Sequence, residues 1–218
     1  MSDSDFQSVV AKADLCRLLS ACYYEPGPEF VEERLFDALR MAAESLDPAL
    51  AAQAMQLKRS FESERIDSLL VDYAKLFLGP GHTLAPPYES AWRDKNSDDP
   101  MDSVQALIEL YDDGGFVVDP DFRDLPDHLA VELEFLYTLF FQEAAARQNG
   151  DAKMQAHAQA LQWSLQTRHT DAWLGAFVDA LRQNAQCSFY RDLAAMTAAF
   201  MRKAGEDLRA RQSSVVLP

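Results

Sequence analysis

Along this chain the apolar residues return every three or four positions, and the runs that keep this rhythm are separated by tight clusters of glycine and proline. That spacing marks amphipathic helix. No run of useful length alternates apolar and polar with the period of two that a strand requires. The first helix is predicted over residues 5–24, where Val9, Ala13, Cys16 and Leu19 or Ser20 form one stripe and Glu25-Pro26-Gly27-Pro28 stops it. A second is predicted over 29–45, carrying Phe30, Leu35, Leu39 and Ala42 or Ala43. Pro48 after Asp47 suits the first turn of a third, 48–62. A fourth, 66–78, turns Leu69, Leu70, Tyr73, Leu76 and Phe77 inward. A helix over 101–111 ends at Asp112-Asp113-Gly114-Gly115. The next, 129–141, is apolar nearly all round and so is expected to be buried on several sides. Helices over 152–166, 171–185 and 189–211 complete the chain, and Val215 to Leu217 are read as a frayed tail.

The pattern predicts an all-α fold, a single compact multi-helix bundle of about nine helices in two helical halves. Residues 1–118 form the N-terminal half, 119–126 a linker or hinge, and 127–218 the C-terminal half. A linker between two helical halves permits a domain-swapped dimer as well as a monomer. The one long irregular stretch is 79–100. Loops beyond about 12–15 residues in compact domains are usually functional or disordered. This one carries Leu84, Tyr88 and Trp92, which favours function.

Composition narrows the function. The 218 residues include 20 basic and 35 acidic side chains, for a net charge of -15. Such a field repels phosphate backbones and anionic lipid and suits a basic partner, though plain solubility is the simpler reading of it. No nucleic acid and no stable membrane insertion are expected. The first ten residues are polar and acidic, unlike an export signal, and no window reaches 18 uninterrupted apolar residues. Cys16, Cys22 and Cys187 are odd in number and form no CxxC, which argues against a disulfide framework or zinc knuckle. A cytoplasmic location is the expectation.

Two segments carry candidate chemistry. In the first, Gly79-Pro80-Gly81 and Pro86-Pro87 hold a loop with little freedom left to lose, on which Tyr88 and Trp92 offer a platform for an extended peptide. The alternative is that these aromatics plug the loop onto the helices. No Lys-Ser/Thr follows the glycines, so the loop is not a phosphate cradle. The second segment is Pro126-Asp127-His128 with Glu132, where Pro126 suits a first helical turn and Asp127 complements the helix dipole. His128 and Glu132, four apart, share a helix face and have the chemistry of a base and its orienter or of two metal ligands. A helix cap with a histidine held by a carboxylate is the simpler account of them. His82, His157 and His169 are scattered and read as solvent-facing. GxSxG, HExxH and GxGxxG are absent, so no catalytic residue, metal or cofactor is expected, and the reading is of a protein that is not an enzyme.

The residues Tyr73-Ala74-Lys75-Leu76-Phe77-Leu78-Gly79-Pro80-Gly81, then Pro86-Pro87-Tyr88-Glu89-Ser90-Ala91-Trp92, then Pro126-Asp127-His128, together resemble the TorD/DmsD/NarJ-like chaperones, the redox enzyme maturation or Tat proofreading proteins. Cys187-Ser188-Phe189-Tyr190-Arg191 extends the likeness toward the C-terminus. The resemblance implies a cytoplasmic all-α chaperone. Its partners would be the twin-arginine signal peptide, the body, or both, of a molybdopterin-dependent oxidoreductase of the dimethyl sulfoxide or trimethylamine N-oxide reductase kind, held until cofactor insertion is complete. Carried over, the peptide-binding surface comprises Tyr73, Leu76, Phe77, Pro86, Pro87, Tyr88, Ser90, Trp92, Asp127 and His128. Glu89 and Glu132 join it as carboxylates able to receive an arginine alongside Asp127. Gly81 stands where one branch carries an aromatic, and the Pro126–Asp127 spacing is one residue tighter than in many members. Two readings stand beside this one: an assembly factor that binds only the body of its client, and a metal or nucleotide hydrolase built on His128 and Glu132.

Overall fold

A computed structural model describes residues 3–79, 83–93, 100–118 and 124–215. Gly81, His82, most of the predicted hinge and the tail beyond Val215 lie outside them.

Helix α1 runs Asp3–Ala21, and its stripe is fully realised: Val9, Cys16 and Leu19 are inaccessible and Ala13 nearly so. The predicted second helix is two, α2 at Glu29–Glu32 and α3 at Leu35–Glu44. Arg34 divides them with a left-handed φ of 54°, a conformation that neither glycine nor proline announces here. Helix α4, Pro48–Ser63, starts as its sequence indicates, with Pro48 in the first turn and the Asp47 carboxylate accepting from the Ala49 N–H at 2.6 Å. Helix α5 spans Ile66–Tyr73 and opens into a π-helical turn over Ala74–Leu78, ended by Gly79 at φ 36°. The predicted irregular stretch contains a short helix, α6 at Glu89–Trp92, before α7 at Pro100–Asp113.

Helix α8, Leu129–Asn149, is the buried axis. Leu129, Val131, Leu133, Phe135, Leu136, Leu139 and Phe140 all lie in the core, while Phe141 faces out. Gly150, left-handed at φ 69°, ends it. Helix α9, Ala152–Ser164, is capped by Asp151 and passes through a second π-helical turn, Leu165–Thr170, into α10, Asp171–Asn184. Helix α11, Ser188–Val215, starts where the Glu64 carboxylate takes the Ser188 N–H and hydroxyl, each at 2.9 Å.

The segments on either side of the hinge interlock. Helix α1 packs along α8, and α4 along α11. Across the same boundary Tyr23 and Thr197 share a hydrogen bond at 2.8 Å, and Tyr190 donates to the Leu69 carbonyl at 3.1 Å. The core is continuous through all these elements. No helix among the described residues is long and apolar enough to cross a membrane.

Candidate functional site

The site is a strap, residues 83–93, tied down at both ends. A helix leaves its last carbonyls without partners, and the strap supplies them: the N–H groups of Leu84 and Ala85 donate to the carbonyls of Lys75 and Leu76 at 3.3 and 2.9 Å. Further along, Tyr88 and His128 pair as an antiparallel bridge. There the Leu129 N–H donates to the Pro87 carbonyl at 2.8 Å and the Glu89 N–H to the Asp127 carbonyl at 3.1 Å. Asp127 Oδ2 accepts from the Ser90 N–H at 2.8 Å, so this carboxylate serves α6 and not the helix that follows it. Asp127 and Pro126 form the turn before α8 and are not part of its first helical turn. The cap of α8 is His128, whose Nδ1 accepts from the Ala130 N–H at 3.0 Å.

Beneath the strap lies a buried polar knot. Glu89 has no exposed surface, and its carboxylate accepts from Ser103 at 2.7 Å, from Arg93 at 2.5 Å and from His169 Nδ1 at 2.9 Å. Arg93 also donates to the carbonyl of Arg168. Burial pushes the Glu89 pKa up, but the bonds and charge from His169, with Ser103 and Arg93, outweigh it and hold the carboxyl below its ordinary value. Glu132, nearly inaccessible, takes the Thr170 hydroxyl at 3.0 Å and the Trp173 N–H at 3.2 Å. Burial and then repulsion by Glu89 drive its pKa well above the usual carboxylate range. His128 is lowered to about 4 by burial, against the pull of Asp124 and Asp127. Its ring stacks on Tyr24 (6.1 Å between centroids, 2° between planes) and meets Tyr88 edge-on.

The predicted site residues therefore divide. Pro86, Tyr88, Ser90 and Trp92 are half-buried on the strap and reach solvent, while Pro87 is buried. Tyr88 donates to the exposed Asp124 at 2.7 Å, and the Trp92 indole N–H donates to the Pro86 carbonyl at 2.7 Å while its ring meets Phe177. Tyr73, Leu76 and Phe77 sit in the core, packed through Phe77 on Tyr23, Phe177 and Tyr190. Asp127 and His128 are buried behind the strap. Two expectations are corrected. His169 is buried at the centre of the knot, and of the histidines read as solvent-facing only His157, half-buried, reaches solvent among the described residues. The two carboxylates Glu89 and Glu132, read as open to a partner's arginine, are already filled from within, Glu89 by the chain's own Arg93. The same bonds leave His128 and Glu132 engaged separately, one as a helix cap and one on Thr170 and Trp173, and not as a base with its orienter. The residues that sequence reasoning did not find, Arg93, Ser103, Asp124, His169 and Thr170, carry no local motif, and His169 stands 80 positions from Glu89.

Fold and site together define an all-helical bundle in which a proline-bounded strap is locked over a buried acidic knot. The sequence model of the family described as the nitrate reductase delta subunit matches residues 43–179, which take in the strap, the knot and α8. The chain belongs to this family, in keeping with its resemblance to the TorD/NarJ chaperones. It is 30% identical over 176 residues to a chaperone protein TorD of Vibrio parahaemolyticus, covering 78% of each chain. It is 32% identical over 145 residues to the chlorate reductase assembly chaperone protein of Ideonella dechloratans, covering 65% of each. It is 34% identical over 113 residues to the selenate reductase assembly chaperone protein of Thauera selenatis, covering 51% of this chain and 56% of that one.

Proposed function

We propose that this chain is a cytoplasmic chaperone, not an enzyme, that binds the twin-arginine signal peptide, and through further contacts the body, of a molybdopterin-dependent oxidoreductase before export. The observation that carries the reading is the tied strap. It presents Pro86, Tyr88, Ser90 and Trp92 on a backbone already fixed at both ends, so little ordering entropy is lost when a peptide docks. Relatives named for the assembly of chlorate and selenate reductases support the class of client. Exposed Asp124, bonded to Tyr88, takes the role of arginine acceptor that the sequence assigned to Glu89 and Glu132. Asp127 Oδ1 is buried without a hydrogen-bond partner among the described residues, behind the same strap.

Calorimetric titration of the whole chain with a twin-arginine leader, beside a twin-lysine control, tests the reading. Saturable binding that weakens with the control supports it. Equal binding of client enzyme with and without its leader, and no binding of the leader alone, would transfer recognition to the client body. The burial of Tyr73, Leu76 and Phe77, which removes three residues from the predicted peptide surface, is what keeps that second reading in play.

A further inference from the structure

Tyr24 connects the strap to a surface that the site residues do not include. Its ring lies flat against His128, and its hydroxyl donates to Glu134 at 2.8 Å, where Ser20 also donates at 2.9 Å. From that point a groove of about 420 Å³ runs between α1 and α8, lined by Ala21 and Arg17 on one side and Tyr137 and Thr138 on the other, with Phe116 at its edge. Tyr137 in turn meets Phe141, which is 60% exposed although it belongs to the most deeply buried helix of the fold. Val117, next to Phe116, is 81% exposed. On the floor, Glu134 Oε1 takes two hydroxyls, from Ser20 on α1 and from Tyr24 in the turn that follows it.

Charge is segregated along this track. At the strap end lie the exposed carboxylates of Glu25 and Asp124, whose charges both reach Tyr73. At the other end exposed Phe141 and half-buried Tyr137 supply apolar surface, and the cation of exposed Arg17 lines the same groove. From His128 to Phe141 the track follows α8 for about 20 Å at 1.5 Å per residue. Two packed helices leave a groove of the shape that accepts a third.

We propose that the α1/α8 groove is a docking surface for an amphipathic helix, with the basic end of that helix at Asp124 and Glu25 and its apolar face on Phe116, Tyr137 and Phe141. The proposal rests on the peptide-binding reading above and deepens it. A segment with paired arginines followed by an apolar run matches the order of charge and apolar surface along the track. Binding such a segment engages the strap through its arginines and the groove through its apolar residues.

The test uses the full chain and two synthetic peptides, one with paired arginines followed by an apolar run, the other ending after the arginines. Phe141→Ser and Tyr137→Ser each remove partly exposed apolar surface, so the fold is preserved, which circular dichroism checks. Each substitution is expected to weaken the long peptide about tenfold and to leave the short peptide unchanged. Long-peptide affinity equal to wild type in both variants overturns the groove while the chaperone reading stands. No binding of the long peptide to the wild-type chain overturns both. A concentration-dependent dimer in sedimentation, abolished by Phe141→Ser, assigns the groove to a second copy of this chain and also overturns the proposal.

Discussion

Glu89 and His169 meet at 2.9 Å under the strap, joining the helix that ends it to the π-helical turn between α9 and α10. Neither side chain reaches solvent appreciably, so the bond anchors the strap to the C-terminal half of the chain. Removing His169 leaves a buried carboxylate short of one donor, which costs about 1–3 kcal/mol. His169→Ala is therefore expected to lower the urea midpoint, with His169→Gln recovering part of the loss. The pH dependence has a definite sign. Glu89 is held below its ordinary value in the fold, so the stability it contributes is present above the unfolded carboxyl value of 4.5 and is lost as pH falls through the lower folded value. Without His169 the folded value rises, and acid unfolding is expected to begin at higher pH. An acid transition identical in the two proteins would contradict this.

Glu132 has the opposite sign. Its folded value is raised, by burial first and Glu89 second, so the folded chain holds a proton there that the unfolded chain has released. The stability tied to that proton is complete below 4.5 and declines as pH rises toward the folded value. Glu132→Gln carries no proton to lose and still offers an oxygen to Thr170 or Trp173. Denaturant midpoints measured from about pH 5 to about pH 8 are expected to fall in the wild-type chain and to fall less steeply in the variant. Parallel slopes would place the proton elsewhere.

The helices and their inward stripes were legible because burial leaves a periodic signature, and α1 and α8 show it almost position by position. The break at Arg34 was not, because a left-handed non-glycine residue has no compositional marker and is held by surrounding packing. The strap was legible as an irregular segment from its prolines and glycines. Its chemistry was only half so: the outward Tyr88 and the partly plugged Trp92 satisfy both readings of the aromatics at once. The acidic knot was invisible, since its donors come from Arg93, Ser103, His169 and Thr170 on separate elements, and only tertiary structure brings them together. Glu89 and Glu132 looked available because a sequence shows a charge but not whether it is already paired.

Arg34 offers a clean measurement of backbone strain. Its exposed side chain bonds half-buried Asp37, and both Arg34→Ala and Arg34→Gly lose that pair. Only glycine adopts φ 54° without steric penalty. The glycine variant is therefore expected to be more stable than the alanine variant by about 1 kcal/mol, read from their thermal or urea midpoints. Equal midpoints would mean that α2 and α3 relax into one continuous helix, the arrangement their apolar pattern alone suggests.

Trp92 separates the strap's stability from its recognition surface. The indole N–H holds the Pro86 carbonyl at 2.7 Å, which keeps the strap folded back on itself, while part of the ring remains open to solvent. Trp92→Phe removes the hydrogen bond and keeps most of the aromatic area; Trp92→Ala removes both. If the strap recognises a peptide mainly through aromatic area, the phenylalanine variant binds a twin-arginine leader within about threefold of wild type and the alanine variant about tenfold or more weakly. If preorganisation dominates, the two variants lose affinity equally, and amide exchange at Ser90 and Ala91 accelerates in both. The second tie, from Asp127 to the Ser90 N–H, decides between these outcomes independently: Asp127→Asn weakens that tie without touching Trp92. It is expected to speed Ser90 exchange, and to weaken leader binding only if preorganisation is the larger contribution.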